Sequence, residues 1–389
     1  MQKITQQALT QLTESTDGKA VAVTIYIPLE ATASPPHITE NQIRFKNLIH
    51  KAVEQLKATG DTSDLSKQLC DRLAALQDDI EFWKESRRGM LLCAAPGMLE
   101  MYHLPVDTEE YVAVDTSFHL APVVALMGDA KEYYVLALAQ QRPRIYKGDS
   151  YDLSEINIGL PETLRVGLGI DEPNQKSENQ GSATGSSLNT GWFNGRGGAR
   201  DPMDNDRLKF LHLIDSLLHD KLDQSVPLVL AGIDSEVDEF RDVSKYPKLL
   251  QGSIAGNHTE TNMHDLFALA QPIIMHELVE PEHAAIKEEY ERLQGANPER
   301  VASDAISIAE AAEQGRVDKL IASMGRQTTD TVQDNINSVF RITFIGGDGE
   351  ANKLLNNLAM KVWQMSGRVV SLLPEEMPNG APILARLRY

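Results

Sequence analysis

Residues 189–207 read NTGWFNGRGGARDPMDNDR. Gly195, Gly197 and Gly198 alternate with Arg196 and Arg200, between the pair Trp192-Phe193 and an acidic helix start. Glycine lacks Cβ and reaches φ > 0, so main chain here can lie against a surface where any side chain would clash. Arginines on either side can pair with phosphates, bidentately where geometry allows. Trp192 and Phe193 can stack on exposed bases. The same residues also fit an ordinary surface loop whose aromatic pair anchors it to its own domain. Asp201, Asp204 and Asp206 resemble a metal cluster, but a helix N-terminus attracts carboxylates in any case. Asp204 or Asn205 is the expected N-cap of a helix whose apolar face is Leu208, Leu211, Ile214, Leu217, Leu218 and Leu222.

Outward from this stretch, residues 171–206 are rich in Gly, Ser, Asn and Gln and nearly free of aliphatic side chains. A segment of that length inside a domain is functional or disordered. Upstream, KEYYVLALAQQRPRIYKGD predicts a strand over Tyr133–Leu138 and a second around Arg144–Lys147. Downstream, VPLVLAGI predicts a buried strand. In the first third, Val21, Val23, Ile25 and Ile27 alternate and predict a half-buried strand. Pro35-Pro36 reads as a breaker and Thr39-x-x-Gln42 as a capping box. Phe45, Leu48, Ile49, Ala52, Val53 and Leu56 follow at helical spacing, with Arg44, Asn47 and Lys51 on a polar stripe. A second helix is expected over Asp64–Glu85, then three strands in RGMLLCAAP, GMLEMYHLP and EYVAVDT. The final third alternates helices and strands, and predicts a sheet sandwiched by helices.

The chain has 389 residues, enough for two or three cores, and a net charge of −19. Such a surface repels nucleic acid at long range, so any RNA contact needs local basic patches or delivery by a partner. Cys70 and Cys93 form neither a metal pattern nor a disulfide framework. His258 and His264 lack a third ligand, and His276-Glu277 is not the zinc-protease motif. No cofactor and no metal are expected. No apolar run spans a bilayer and the polar N-terminus is unlike a signal peptide, so a cytoplasmic protein with no membrane partner is expected.

Several stretches resemble one family in the right order. NGRGGARDPMDNDRLKFLHLIDSLL is similar to the Gly-Gly-Gln loop and following helix of archaeal and eukaryotic class I release factors. AISIAEAAEQGRVDKLIAS and the terminal GAPILARLRY resemble the C-terminal domain of those factors and of Pelota. TIYIPLEA with its following helix resembles the first strand and helix of their N-terminal domain. DTSFHLAPVVALMGDAKEYYVLAL is similar to the junction into the middle domain. The resemblance implies a three-domain α/β architecture: an α/β N-terminal domain over 1–125, an RNase H-like middle domain over 126–268 carrying the Gly-rich loop, and a ribosomal-protein-like αβα domain over 269–389. Two departures stand out. The catalytic glutamine falls at Ala199, and both stop-codon signatures, expected near ENQIRFKNL and VDTSFHLAP, are absent. The closest likeness is to bacterial members, those of ribosome hibernation among them.

The resemblance implies a 70S ribosome partner, with rRNA contacted in the A site and no DNA. Trp192, Asn194, Gly195, Arg196, Gly197, Gly198, Ala199 and Arg200 would reach the peptidyl transferase centre. Asn41, Arg44, Lys46, Asn47 and Lys51 would reach the decoding end; a solvated helix face explains those five equally well. Elongation factor Tu is the implied protein partner. Three functions stand open: a non-catalytic hibernation factor, a peptidyl-tRNA-hydrolysing rescue factor, and a stress-related RNA-binding adaptor. Ala199 keeps the backbone N–H that could stabilise an oxyanion but loses the side-chain amide that orients water, so the expectation is no enzyme.

Overall fold

The computed structural model describes residues 2–169 apart from breaks at 17, 31–33, 61–63, 78, 85–87, 129, 140 and 150–151, then 202–323, 341–342 and 349–389. These residues fold as two compact units. The first holds 1–131, 149–152 and 267–389; the second holds 132–148 and 153–266. The resemblance implies three domains, with boundaries after 125 and 268. The chain crosses between the units after Lys131, Gly148, Asp152 and Leu266.

The first unit has two main sheets. The N-terminal sheet runs Gln2–Lys3, Met98–Leu104, Gly89–Ala95, Ala22–Pro28, Tyr111–Asp115 in spatial order. Ile25 sits opposite both Leu92 and Val112. The alternation in Ala22–Pro28 predicts one buried face; six of its seven residues are buried, on both faces. Val23, Ile25 and Ile27 pack with Phe45, Leu48 and Leu69 from the helices Pro35–Ala58 and Leu65–Gln77. Ala22 and Tyr26 belong instead to a continuous core that includes Val124, Leu320, Leu358 and Ala385. The second face is covered because this core extends into the far end of the chain, a contact that periodicity cannot show.

Three helix ends differ from the sequence reading. Pro35 and Pro36 open the long helix rather than break the chain before it, because a first-turn proline gives up only an N–H that has no intrahelical partner. Thr39 therefore lies inside the helix, and its hydroxyl donates back to the Pro35 carbonyl at 3.1 Å. The expected second helix is two, Leu65–Gln77 and Ile80–Lys84.

The C-terminal sheet runs Val301–Ala302, Ile383–Leu387, Val317–Ala322, Arg368–Ser371. Its alternate residues face opposite layers. Leu320, Val369 and Ala385 join Ile308, Leu355 and Leu358 of the helices Ala305–Glu313 and Gly349–Gln364. Ile321, Val370 and Leu384 join Ile286 and Tyr290 of the helix Glu280–Ala296. This is the expected αβα sandwich.

Glu282 of that last helix is bonded by both Arg368 and Lys131. Burial alone would raise its carboxyl, but the two cations outweigh it and hold the pKa at about 2. A depressed folded-state pKa stabilises above the unfolded value, near 4.5, and that stability disappears as pH falls toward 2. Glu282→Gln should therefore cost about 1–2 kcal/mol at neutral pH, below the full linkage value because water screens a partly exposed pair. Urea titrations of the two proteins should converge as pH drops from 4.5 to 2. Parallel curves throughout would show that the cluster contributes nothing.

The second unit is one five-stranded sheet in the order Leu249–Ala255, Leu228–Gly232, Tyr133–Ala137, Arg144–Gly148, Leu153–Ile156. Its first three strands in sequence form an antiparallel meander. The last two run parallel to the first. That is the strand order of an RNase H-like sheet. The helix Pro202–Lys221 covers it with Phe210, Leu211, Ile214 and Leu218. Among the described residues no helix is long and apolar enough to cross a membrane.

Candidate functional site

The polar face of the helix Pro35–Ala58 divides into two classes. Asn41 is 1% exposed. Its amide accepts from the Glu30 N–H at 2.9 Å and donates to the Glu30 carbonyl at 3.3 Å, which fixes the chain leaving Ala22–Pro28. A side chain spent in this way cannot read a base. Arg44 donates to the Pro28 carbonyl at 3.0 Å and pairs with Glu40 at 3.1 Å and Glu110 at 3.3 Å. Its charge is neutralised within the fold. Lys46, Asn47 and Lys51 are exposed. None of them has a carboxylate partner among the described residues. His50 and Lys57 extend the same exposed face, with Glu54 the one acid between them. Sequence pattern missed these two; their i, i+4 and i, i+11 spacing from Lys46 is the signal that would have found them.

The segment VDTSFHLAP carries a buried polar network in place of an exposed decoding tip. His119 is 5% exposed. Its ring meets the Tyr111 hydroxyl at 2.9 Å and the Asp115 carboxylate at 3.3 Å. Lys353 reaches the other Asp115 oxygen at 2.8 Å. Burial lowers the His119 pKa and outweighs the hydrogen bond and charge of Asp115, so the ring is held neutral. Burial would raise Asp115, but Lys353, the Thr116 N–H and His119 reverse it and keep the carboxylate ionised. Burial, then Asp115, pushes Tyr111 up to about 12, so it remains a phenol. The network is a clamp.

The residues expected to reach a peptidyl transferase centre, Trp192, Asn194, Gly195, Arg196, Gly197, Gly198, Ala199 and Arg200, lie outside the described residues. The described chain stops at Gly169 and resumes at Pro202. Thr163 caps the short helix Leu164–Leu168 by accepting from the Val166 N–H at 3.2 Å, and Gly169 ends it with φ +63°. The following helix starts at Pro202, before the expected caps Asp204 and Asn205, again because proline suits a first turn. Asp206 pairs with Lys209 at 2.9 Å. The helices Leu164–Leu168 and Pro202–Lys221 pack together: a Cβ on Gly167 would stand 3.1 Å from Phe210 and 3.0 Å from Pro161. Glycine is what allows this close helix contact. Among the described residues no group of three His, Cys, Asp or Glu is placed to hold a metal ion. His258 is engaged by Thr261 and the Ala255 carbonyl.

Residues 132–316 match the family model described as bacterial archaeo-eukaryotic release factor family 3. The matched stretch contains the whole RNase H-like unit and supports a release-factor-like assignment for it. Among solved structures, Archaeoglobus fulgidus Pelota is 13% identical over 77% of this chain and 79% of its own, at a TM-score of 0.34. Saccharomyces cerevisiae Dom34, a translation termination-like factor, is 12% identical over 76% and 74%, at 0.33. The archaeal translation termination factor aRF1 is 12% identical over 98% and 96%, at 0.22. At those scores the likenesses carry no weight of their own. No curated protein matches the chain.

Proposed function

We propose that this protein is a non-catalytic ribosome-binding factor that occupies the A site of idle ribosomes. The observation that carries the reading is the release-factor family match across the unit from which the Gly-rich segment departs, with Ala199 where that family's catalytic glutamine would stand. In this reading Lys46, Asn47 and Lys51, joined by His50 and Lys57, face the decoding end, while Trp192, Asn194, Gly195, Arg196, Gly197, Gly198, Ala199 and Arg200 enter the peptidyl transferase centre. Glycines let the backbone approach and arginines bind phosphate, but no side-chain amide orients water at the ester. The activity is occupancy, as in a ribosome hibernation factor. Elongation factor Tu is the proposed carrier, consistent with a chain too acidic to find RNA by long-range attraction alone.

The test is co-sedimentation with vacant 70S ribosomes across a salt titration. Wild-type protein should bind without releasing peptide from ribosomes that carry peptidyl-tRNA. Lys46→Glu with Lys51→Glu should weaken binding and flatten its log–log salt slope by roughly 1.5–2 units, since each lost phosphate contact removes about 0.7–0.9. Peptide release at a termination factor's rate would replace the reading with hydrolytic rescue. Absence of ribosome binding, in extracts of growing and of chilled or starved cells alike, would leave only the adaptor.

A further inference from the structure

The first unit carries an open groove of about 770 Å³, and every residue lining it belongs to that unit. Small-molecule sites run to roughly 300–1,000 Å³. One wall is the helix Gln6–Glu14. Gln6, Thr10, Thr13 and Glu14 stand at i, i+4, i+7 and i+8, so they share a face. At about 1.5 Å per residue they spread over about 12 Å. The other wall takes the last turns of two more helices, with Met127 and Gly128 from Ala121–Gly128 and Trp363 and Gln364 from Gly349–Gln364.

This lining presents acceptors. The Thr10 hydroxyl donates to the Gln6 carbonyl at 3.0 Å, and the Thr13 hydroxyl to the Leu9 carbonyl at 2.8 Å. Both protons are spent on the helix, and each oxygen keeps lone pairs for an incoming donor. Glu14 is exposed and has no ion-pair partner among the described residues. Three helix C-termini border the groove, each carrying roughly −0.5 charge. Two of them already hold a guanidinium. Arg368 donates to the Gly128 carbonyl at 3.0 Å, and Arg388 donates to the Met365 and Ser366 carbonyls. The third, at Glu14, has no basic residue in its last turn. Its Leu12 and Thr13 carbonyls accept only from the neutral hydroxyls of Ser15 and Thr16. A carboxylate at such an end adds negative charge to negative charge, and a cation from outside relieves both.

The one cation of the lining, Arg368, is paired with Glu282. A phosphate-bearing ligand would therefore meet Glu14 without a counter-charge. An ammonium would meet Glu14, the threonine oxygens and the indole of Trp363, whose π face attracts cations. Met127 and Val124 add apolar surface for methylenes.

We propose that the groove binds a linear aliphatic polyamine, with one ammonium at Glu14 and the chain lying along Trp363 and Met127. Ammoniums separated by methylenes match acceptors spread along a helix, where a compact cation would use one end alone. The site is independent of the ribosomal reading and of the Gly-rich segment.

Equilibrium dialysis of labelled spermidine against the full chain, at low ionic strength, tests the proposal. A protein of net charge −19 also collects polyamine loosely over its surface. The control is therefore Glu291→Gln, which removes one exposed carboxylate from the same unit. Wild type and Glu291→Gln should saturate at one spermidine per chain, and Glu14→Gln should bind about tenfold more weakly. Thr10→Val keeps the shape of an exposed side chain but loses the acceptor; it should weaken binding at an unchanged melting temperature. Putrescine, too short for the whole groove, should bind more weakly than spermidine. Binding that never saturates, or that falls equally in Glu14→Gln and Glu291→Gln, overturns the site, because polyamine then follows surface charge alone. Displacement of spermidine by equimolar guanosine or adenosine assigns the groove to a nucleobase and likewise overturns it.

Discussion

Asn356→Leu is expected to lower the stability of the first unit by about 3–6 kcal/mol, most of the 5–15 kcal/mol that holds a typical domain together. Asn356 is 2% exposed. Its carbonyl oxygen accepts from the Leu120 N–H at 2.8 Å and the Ala121 N–H at 3.1 Å, and its amide donates to the Phe118 carbonyl at 3.0 Å. The two N–H groups belong to the entry of the buried helix Ala121–Gly128, where first-turn donors have no partner of their own. Asn356 thus caps a helix more than two hundred residues earlier in the chain. Leucine is close to it in volume but strands three buried polar groups at about 1–3 kcal/mol each. Urea unfolding should show a sharply reduced midpoint. Asn357→Leu, one residue along and exposed, should change stability by less than about 0.5 kcal/mol. Equal midpoints for the two variants would contradict the capping role.

Gly197→Val with Gly198→Val should abolish protection of peptidyl transferase nucleotides while leaving the fold unaltered. The stretch around them has almost no aliphatic residues. A β-branched side chain denies φ > 0 and fills the space that close approach to RNA requires. Arg196→Ala and Arg200→Ala should act in the same direction, each by about 1.5–3 kcal/mol where its contact is desolvated. Overall ribosome affinity should fall less than local protection, because the contacts proposed for the Lys46 face remain. Chemical footprinting reads the two separately. Protection that survives the double valine variant would show that backbone approach is not what places the loop.

Strands such as Tyr133–Ala137 and Leu228–Gly232, and the αβα order of the last third, were legible because burial pattern and turn residues agree locally. The caps were not. Thr39, Asp204 and Asn205 have the right chemistry for N-caps, yet helices began earlier at prolines whose compatibility with a first turn is easily read as a break. At the candidate site, sequence picked the helix but not which of its residues were free. Asn41 and Arg44 have the same polar character as Lys46 and Lys51; only the positions of the Glu30 backbone and of Glu110 decide that the first two belong to the fold.

The first unit is assembled from both ends of the chain, and this fixes when it can form during synthesis. The strand Ala22–Pro28 leaves the ribosome early, but one of its faces belongs to a core completed by Leu320, Leu358 and Ala385. The RNase H-like unit, continuous but for residues 149–152, can fold as soon as residue 266 has emerged. The nascent N-terminal third must therefore carry an exposed apolar sheet face through most of elongation, and a slow, long-range closure step follows emergence of Ala385. Premature truncation anywhere after the middle unit would yield one folded half and one chaperone client.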